Sequence, residues 1–277
     1  MKVVITGASG YIGRHVVDEF VNKGHEVVAV DIRNTGINPK AQFIDESIFD
    51  DDPMICEKLG NPELCVHMAW QDGFVHNAPS HMENLSAHCR FLRYMIEGGC
   101  KNIAVMSSMH EIGFWEGMID ENTPCKPLSL YGIAKNAIRE ALFLYAKDKD
   151  VNIYWLRGFY ILGDDLNNHS IFTKILQAAN EGKKTFPFTT GTAKYDFITV
   201  DEMSNQICAV TTQDKYTGII NICSGEPIAL KDKVEEFIRE KNLDISLEYG
   251  VFPTRPYDSK IIYGDNTIIK AVMADGH

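Results

Sequence analysis

Residues 2–31 read KVVITGASGYIGRHVVDEFVNKGHEVVAVD and contain the strongest structural signal of the chain. Lys2–Ile5 is a short apolar run typical of a buried strand, and Tyr11–Lys23 carries its apolar residues at helical spacing. Gly24 interrupts the helical pattern, and Glu26–Val30 is a second apolar run. A strand, a glycine-rich turn, a helix and a second strand within about 30 residues predict a βαβ unit with parallel strands.

The turn between the first strand and the first helix is Gly7–Gly13, with the spacing G-x-x-G-x-x-G. Glycines there allow a tight bend and bring backbone N–H groups against a pyrophosphate, which the positive end of the helix dipole attracts. Asp31 closes the second strand 21 residues after Gly10, where a carboxylate can hold a ribose 2′-hydroxyl. The segment therefore predicts a dinucleotide site.

The choice between NAD and NADP depends on two residues after the second predicted strand. Asp31 favours NAD, because its charge would repel the 2′-phosphate of NADP. Arg33 lies two residues further on and could turn inward to bind that phosphate. We expect NAD as the cofactor, with NADP as the open alternative.

Strands and helices continue to alternate through the first half of the chain. This alternation predicts a parallel sheet that is covered by helices on both faces and joined by right-handed crossovers. The further predicted strands are Leu64–Met68, Asn102–Met106 and Asn152–Leu156, and the further predicted helices are Ser80–Glu97 and Leu128–Asp148.

After about Arg157 the alternation loosens, and the later elements are fewer. We predict an α/β fold: a Rossmann-type doubly wound parallel sheet with a smaller C-terminal substrate-binding lobe at its carboxyl edge. The Rossmann-type domain is assigned residues 1–163 and 195–223, and the lobe is assigned residues 164–194 and 224–277. The later predicted elements are a helix over Ser170–Glu181, a strand over Asp196–Val200, a helix from an Asp201 N-cap to Val210, a strand over Gly218–Cys223 and a helix over Leu230–Lys241.

Tyr131 and Lys135 form the pattern Y-x-x-x-K at the start of the long predicted helix. Residues four apart project from the same face of a helix. A phenol with a pKa of about 10 is a poor base at neutral pH, and a nearby ammonium stabilises its phenolate. Ser108 follows the strand Asn102–Met106, at the carboxyl edge of the sheet, where its hydroxyl can bind a reacting oxygen. Together the three residues predict proton transfer that accompanies hydride transfer at an alcohol or a carbonyl.

Further motifs extend this pattern over nearly the whole chain. They are Val66–Trp70 (VHMAW), Asn84-Leu85, Ser107–Gly113 (SSMHEIG), Leu156-Arg157, Tyr195–Asp201 (YDFITVD), Asn221–Gly225 (NICSG) and Arg255–Asp258 (RPYD). With the glycine turn and the Y-x-x-x-K pattern, they resemble the extended short-chain dehydrogenases/reductases, a family of nucleotide-sugar epimerases, dehydratases and ketoreductases. The chain is also similar to a compact subgroup from bacterial surface-polysaccharide pathways.

The resemblance implies roles for individual residues. Ser108, Tyr131 and Lys135 are the implied catalytic set, with Ser107 packed behind Ser108. The predicted cofactor contacts are Gly7, Gly10, Tyr11, Ile12, Gly13, Asp31, Arg33, Asp45, Ala69, Asn84, Tyr131 and Lys135. The predicted substrate contacts are His110, Tyr160, Lys194 and Arg255, the last of them at the substrate diphosphate.

Several positions depart from the family patterns and narrow the reaction. Met109 and His110 stand where the 4,6-dehydratases carry an Asp-Glu pair. Water elimination needs an acid and a base, so a dehydratase is disfavoured. Tyr160 stands where enzymes similar to UDP-galactose 4-epimerase carry a substrate-binding Asn. Tyr195 replaces an Arg of the family motif, and Lys194 beside it is a possible substitute charge.

These observations predict an NAD(P)-dependent oxidoreductase that acts at C4 of a nucleotide-activated sugar, by 4-keto reduction. The first alternative is a nucleotide-sugar 4-epimerase with tightly held NAD, and the second is a non-catalytic dinucleotide-binding sensor. Relatives dimerise through a four-helix bundle, so the predicted helices Ser80–Glu97 and Leu128–Asp148 imply a homodimer.

Composition and charge exclude other partners. Lys and Arg total 27 against 38 Asp and Glu, a formal net charge of −11, so we expect no nucleic acid partner. The apolar runs are far shorter than the roughly 20 residues of a membrane span, and the N-terminus does not read as a signal peptide. The seven scattered cysteines indicate reduced thiols rather than disulfides or zinc. We therefore predict a cytoplasmic enzyme without a membrane partner or a metal.

Overall fold

Strands and helices alternate from the first strand onward. The structure is a computed structural model that describes residues 1–162, 170–253 and 259–275. Its strands are β1 (Lys2–Thr6), β2 (Glu26–Asp31), β3 (Gln42–Asp45), β4 (Leu64–His67), β5 (Asn102–Ser108), β6 (Gly117–Ile119), β7 (Asn152–Gly158), β8 (Tyr160–Leu162), β9 (Thr185–Pro187), β10 (Lys194–Thr199), β11 (Gly218–Ile222), β12 (Pro227–Ala229), β13 (Ser246–Glu248) and β14 (Ile261–Gly264). Its helices are α1 (Tyr11–Asn22), α2 (Ile55–Lys58), α3 (Ser80–Glu83), α4 (Leu85–Glu97), α5 (Leu130–Ala146), α6 (Ile171–Asn180), α7 (Val200–Thr211), α8 (Leu230–Glu240) and α9 (Thr267–Asp275).

Seven of the strands form a parallel sheet in the order β3-β2-β1-β4-β5-β7-β11. The strand order reverses between β1 and β4. Ligands of open α/β sheets bind in the crevice at such a switch point, outside the carboxyl ends of the strands. Thr6, the last residue of β1, lies there opposite Val30 of β2 and His67 of β4. The predicted Rossmann-type doubly wound sheet is confirmed.

Helices cover both faces of this sheet, because its central strands are apolar on both sides. Val3 and Ile5 of β1 face a layer formed with α1, α7 and α9. Val4, between them, faces the opposite layer, which includes residues of α4 and α5. These two helix layers support the carboxyl edge of the sheet.

Among the described residues, no helix combines the length and the apolar character needed to cross a membrane.

A smaller mixed sheet has a core of its own. In it β10 pairs with β12 in antiparallel and with β14 and β8 in parallel orientation, and β14 also pairs with β6. β9 and β13 form a separate parallel pair. Phe172 of α6, Phe197 of β10 and Val234 of α8 share one apolar cluster. This sheet and its helices therefore form a second packed unit.

The division of the chain at residues 163, 195 and 223 remains a prediction. The structure places β6, β8 and most of β10, which lie inside the ranges assigned to the Rossmann-type domain, in the smaller sheet. The chain therefore passes between the two sheets more often than the predicted boundaries indicate.

Two of the predicted helices differ in detail from those in the structure. The helix predicted over Ser80–Glu97 is interrupted at Asn84, where α3 ends and α4 begins. The predicted cap Asp201 is wrong, because the Thr199 side chain accepts the N–H of Glu202 and caps α7 instead. Both residue types cap helices well. Thr199 rather than Asp201 caps α7 because β10 ends at Thr199.

Candidate active site

The glycine turn leaves no room for side chains where the first helix approaches the sheet. Gly7 has a positive φ of 69°, and a Cβ there would lie 2.6 Å from the backbone nitrogen of Ala69. A Cβ on Gly13 would lie 2.0 Å from the Gly7 carbonyl oxygen. Tyr11 and Ile12 open α1 and are half-buried. The turn therefore presents backbone rather than side chains at the start of the helix.

Two carboxylates lie at the edge of the sheet on the β2 and β3 side of this turn. Asp31 ends β2, and its carboxylate accepts a hydrogen bond of 3.0 Å from the Ser9 N–H of the turn. Asp45 ends β3 directly opposite Asp31. Arg33 is exposed two residues further on. Two negative charges at this edge favour a free ribose 2′-hydroxyl over a 2′-phosphate.

Ala69 and Asn84, two further predicted cofactor contacts, lie in the segment that follows β4. The Ala69 N–H donates to Thr6 Oγ1 at 3.3 Å, which ties the loop after β4 to the end of β1. Asn84 Nδ2 donates to Gln71 Oε1 at 3.0 Å. The structure therefore brings Ala69 to the glycine turn and fastens Asn84 to the same loop, while their contact with a cofactor remains a prediction.

The three predicted catalytic residues converge at the end of β5. Ser108 is the last residue of β5. Tyr131 lies in the first turn of α5, which Ser129 caps through its hydroxyl. Lys135, one turn further on, is buried and donates from Nζ to the Met106 carbonyl oxygen at 2.7 Å. That hydrogen bond joins the helix that carries Tyr131 to the strand that carries Ser108.

Burial opposes charge on both Tyr131 and Lys135. It raises the pKa of Tyr131, a hydrogen bond with Ser108 works against this rise, and the Glu111 charge adds to it. Burial also lowers the pKa of Lys135 to about 7, against the opposing effect of the Glu111 carboxylate. Tyr131 is therefore a protonated phenol at neutral pH, and Lys135 changes its charge within the physiological range.

Imidazoles surround the phenol of Tyr131. His76 stacks on it with ring centroids 5.6 Å apart and planes at 11°, and the rings of His81 and His110 lie 5.4 Å and 6.2 Å away. The His110 ring also lies 4.3 Å from that of His76. Burial, with a smaller effect of His76, lowers the pKa of His110 to about 4. His110 is therefore neutral at pH 7, with one nitrogen able to donate and one able to accept a hydrogen bond.

Two further predicted substrate contacts, Tyr160 and Lys194, lie in the smaller sheet. Tyr160 opens β8, and its ring lies 4.7 Å from the ring of Tyr195 in β10. Lys194, the first residue of β10, is exposed. Arg255 lies outside the described residues. The structure brings the two tyrosines together, and the substrate roles of these positions remain predictions.

Glu111, which carries no predicted role, follows the end of β5 and is fully buried. Its Oε2 accepts from Ser107 Oγ at 2.7 Å and from Trp155 Nε1 at 2.9 Å. Its Oε1 accepts from Arg157 Nε at 2.8 Å, and Arg139 Nη1 lies 3.5 Å away. The carboxylate thereby joins β5, β7 and α5. Its one sequence signal is the position of an acidic residue in the turn directly after Ser108.

Replacing Glu111 by Gln will lower the free energy of unfolding by about 3–5 kcal/mol, because Arg157 is left as an uncompensated buried charge. Urea unfolding followed by circular dichroism measures the loss. Glu140→Gln is the matched control, since Glu140 also pairs with Arg139 but is exposed, and exposed pairs contribute about 0–1 kcal/mol. Equal losses in the two variants would contradict the role of Glu111 as a buried anchor.

The fold and the site together define a class of protein. A glycine turn at the switch point, a carboxylate at the end of β2, and a Ser, Tyr and Lys set around the end of β5 are the features of a Rossmann-type, dinucleotide-dependent oxidoreductase. Residues 3–223 match the NAD dependent epimerase/dehydratase family. The chain belongs to that family, and the family predicted from the motifs is confirmed.

Individual relatives agree with this assignment. The chain is 46% identical over 271 residues to dTDP-6-deoxy-L-talose 4-dehydrogenase (NAD(+)) from Aggregatibacter actinomycetemcomitans, a match that covers 95% of this chain and 99% of the relative. It is also similar to the solved structure of UDP-N-acetylglucosamine 4-epimerase from Methanobrevibacter ruminantium M1 in complex with UDP-N-acetylmuramic acid. The TM-score is 0.83 at 22% identity, over 98% of this chain and 91% of that one.

A second solved structure has the same fold. UDP-glucuronic acid 4-epimerase from Bacillus cereus, in complex with UDP-glucuronic acid and NAD, superposes with a TM-score of 0.79 at 21% identity. The match covers 99% of this chain and 93% of that one. At this level of identity the comparison establishes the fold.

Proposed function

We propose that this enzyme is an NAD-dependent oxidoreductase acting at C4 of a nucleotide-activated sugar, with Ser108, Tyr131 and Lys135 as its catalytic residues. One observation carries the proposal: these side chains converge in a chain 46% identical to a dTDP-6-deoxy-L-talose 4-dehydrogenase (NAD(+)). That relative confirms the predicted reaction class and cofactor. As the substrate class we propose a dTDP-linked 6-deoxyhexose, in its 4-hydroxy or 4-keto form.

The residues of the glycine turn fit a bound dinucleotide. The turn is bare backbone at Gly7 and Gly13, where a Cβ would collide with neighbouring backbone, and backbone N–H groups at a helix start bind pyrophosphate. Asp31 lies beside the turn and has the carboxylate that a ribose hydroxyl requires. Bound NAD supplies the acceptor for a hydride from C4 of an alcohol, and NADH supplies the donor for a 4-keto carbon.

Tyr131 moves the proton that accompanies this redox step. In the reductive direction its phenol donates a proton to the C4 oxygen, and in the oxidative direction it accepts one from the C4 hydroxyl. Because burial favours the protonated phenol, oxidation requires a neighbouring positive charge that stabilises the phenolate. Lys135 supplies that charge when its amine is protonated. The Ser108 hydroxyl donates a hydrogen bond to the same C4 oxygen and orients it.

A 4-epimerase would use the same residues twice, once for oxidation and once for reduction of the opposite face. Tyr160 argues against this alternative. It stands where the epimerases that the chain resembles carry a substrate-binding Asn, and its ring packs on Tyr195. A single hydride transfer in each turnover, with NAD and NADH exchanging with solution, is therefore the favoured function.

Tyr131→Phe will reduce kcat by about 10³-fold, because the variant lacks the group that transfers the proton. Its Kd for NAD should stay within about twofold of the wild-type value, since the glycine turn and Asp31 are untouched and the predicted cofactor contact at residue 131 loses only its hydroxyl. Steady-state kinetics and NADH fluorescence measure the two quantities. Tyr145→Phe removes an exposed phenol from the same helix and should match the wild type. Wild-type turnover by Tyr131→Phe would remove Tyr131 from the reaction.

The cofactor should exchange with solution. After denaturation of freshly purified protein and filtration, chromatography of the filtrate should show nicotinamide dinucleotide well below one equivalent per chain, and added NAD should restore full turnover. One equivalent of NAD that resists dialysis would instead support the 4-epimerase. Release of NADP would contradict the preference assigned to Asp31 and Asp45.

The homodimer remains a prediction, which the surface of α5 supports. Ile133 and Leu144 are 40% and 71% exposed, and their separation of about three helical turns places them on the same face. Exposed apolar side chains that share one helix face are candidates for burial in a protein interface. Leu144→Glu should therefore convert a dimer into a monomer in light scattering at micromolar concentration, whereas Val251→Glu, also at an exposed apolar residue, should not. A wild-type chain that is monomeric would contradict this interface. The cytoplasmic location likewise remains a prediction.

A further inference from the structure

The amine of Lys135 is buried, and the residue is only 4% exposed. Its Nζ donates to the Met106 carbonyl oxygen at 2.7 Å. The ring centroid of Trp70 lies 3.6 Å from Nζ, and that of Tyr131 lies 5.7 Å from it. The indole of Trp70 therefore covers one side of the ammonium at the distance of a strong cation–π contact.

Trp70 is held in this position by two histidines. Its Nε1–H donates to His81 Nδ1 at 3.1 Å, and His81 Nε2 lies 3.0 Å from the Val75 carbonyl oxygen. The ring of His88 stacks on the indole with centroids 4.5 Å apart and planes at 15°. An indole fixed by both a hydrogen bond and a stack cannot turn away without losing both. The face that meets Lys135 is thus built into the site.

The imidazoles next to Lys135 do not share its charge. His67 is hydrogen-bonded to Thr6 Oγ1 at 2.8 Å and to His88 Nδ1 at 2.9 Å. Burial lowers the pKa of His88 to about 3 and lowers that of His67 strongly, and the charge of Lys135 contributes to both shifts. Both rings are therefore neutral in the working pH range. Glu111 acts in the opposite sense, since its carboxylate favours the charged form of Lys135.

We propose that Trp70 is a positioning residue for Lys135. The indole face of Trp70 keeps the Lys135 ammonium charged and directed toward Tyr131. The inference rests on the catalytic role proposed above for Lys135. An ammonium has three N–H donors. Met106 takes one and the indole face takes a second, which leaves the third for the reacting side of the site. Without the indole face, burial favours the neutral amine, and the phenolate of Tyr131 loses its neighbouring cation.

Two substitutions separate the aromatic face from the indole N–H. Trp70→Leu removes both the face and the hydrogen bond to His81. Trp70→Phe removes the hydrogen bond but keeps an aromatic face, so it should behave like the wild type if the face is what matters. Trp115→Leu is the matched control, because it removes an indole that is bonded to the Met118 carbonyl rather than placed over Lys135.

The first readout is the titration of Lys135 in cofactor-free protein, followed by NMR of ¹³C-labelled lysine. The Lys135 signal is assigned by its absence in Lys135→Met. In Trp70→Leu this signal should titrate about one pH unit lower than in the wild type, and in Trp70→Phe within about half a unit. Trp115→Leu should leave the titration unchanged. An unchanged titration in Trp70→Leu would overturn the inference.

The second readout is kcat for oxidation of a dTDP-linked 6-deoxyhexose with NAD. Trp70→Leu should lower kcat about 10-fold, with both KM values within about threefold of the wild-type values. Trp70→Phe should stay within about twofold. Lys135→Met gives the effect of losing the cation altogether, so it tests the proposed function separately. Wild-type kcat in Lys135→Met would overturn both the proposed role of Lys135 and this inference.

Other results contradict the inference alone. If Lys135→Met is impaired while Trp70→Leu turns over at the wild-type rate, Lys135 keeps its role and Trp70 has none. Equal losses in Trp70→Phe and Trp70→Leu would mean that the hydrogen bond to His81, and not the aromatic face, is responsible. Circular dichroism confirms folding of each variant. If Trp70→Leu does not fold, Trp70→Met takes its place, because Met fills a similar volume without an aromatic face.

Discussion

The site depends on the burial of the Lys135 ammonium between the end of β5 and the start of α5. A cation without partners in such a place is costly, so neighbouring segments have to supply them. The Met106 carbonyl oxygen of β5 accepts a hydrogen bond from Nζ, and the loop after β4 supplies the indole of Trp70. The same contacts fix α5 against the sheet. Ser108 and Tyr131 are thereby held at the sheet edge where the glycine turn also lies.

The electrostatics of the site set different requirements for the reduction and for the oxidation of a sugar. Burial raises the pKa of Tyr131 and lowers that of Lys135 to about 7, so the phenol is protonated at neutral pH and the amine is close to its midpoint of titration. The proton donor proposed for reduction, the Tyr131 phenol, is therefore in place at neutral pH. Oxidation requires the opposite pair, a phenolate beside an ammonium, and depends on every group that favours charge on Lys135. Among the described residues, the Glu111 carboxylate favours the charged form of Lys135, the Met106 carbonyl oxygen accepts a hydrogen bond from Nζ, and the Trp70 indole lies over Nζ.

Local sequence patterns predict the dinucleotide-binding half of the fold and the centre of the site. The glycine turn, Asp31, and the pair Tyr131 and Lys135 are each readable within a few residues or one helical turn, and the structure places them together. The smaller sheet is not readable in this way. Its strands are three to six residues long, and β6 pairs with β14, where Gly117 lies opposite Ile262.

Two residues of the site make contacts that the sequence alone does not predict. Glu111 has the sequence neighbourhood of an ordinary turn residue, and its partners Arg139 and Arg157 come from α5 and β7. Trp70 lies within a family motif, but its contact with Lys135 joins residues from separate elements. Neither contact follows from spacing, because each depends on how a loop packs against a helix.

The most direct test of the whole interpretation is the transfer of deuterium from cofactor to sugar. NADH deuterated at C4 of the nicotinamide, on each face in turn, would be incubated with the enzyme and a dTDP-4-keto-6-deoxyhexose, and the product examined by NMR. We expect deuterium at C4 of the sugar with one of the two labels, and one NAD released into solution for each sugar reduced. A product without deuterium from either label, or a change of configuration at C4 without consumption of free cofactor, would contradict it.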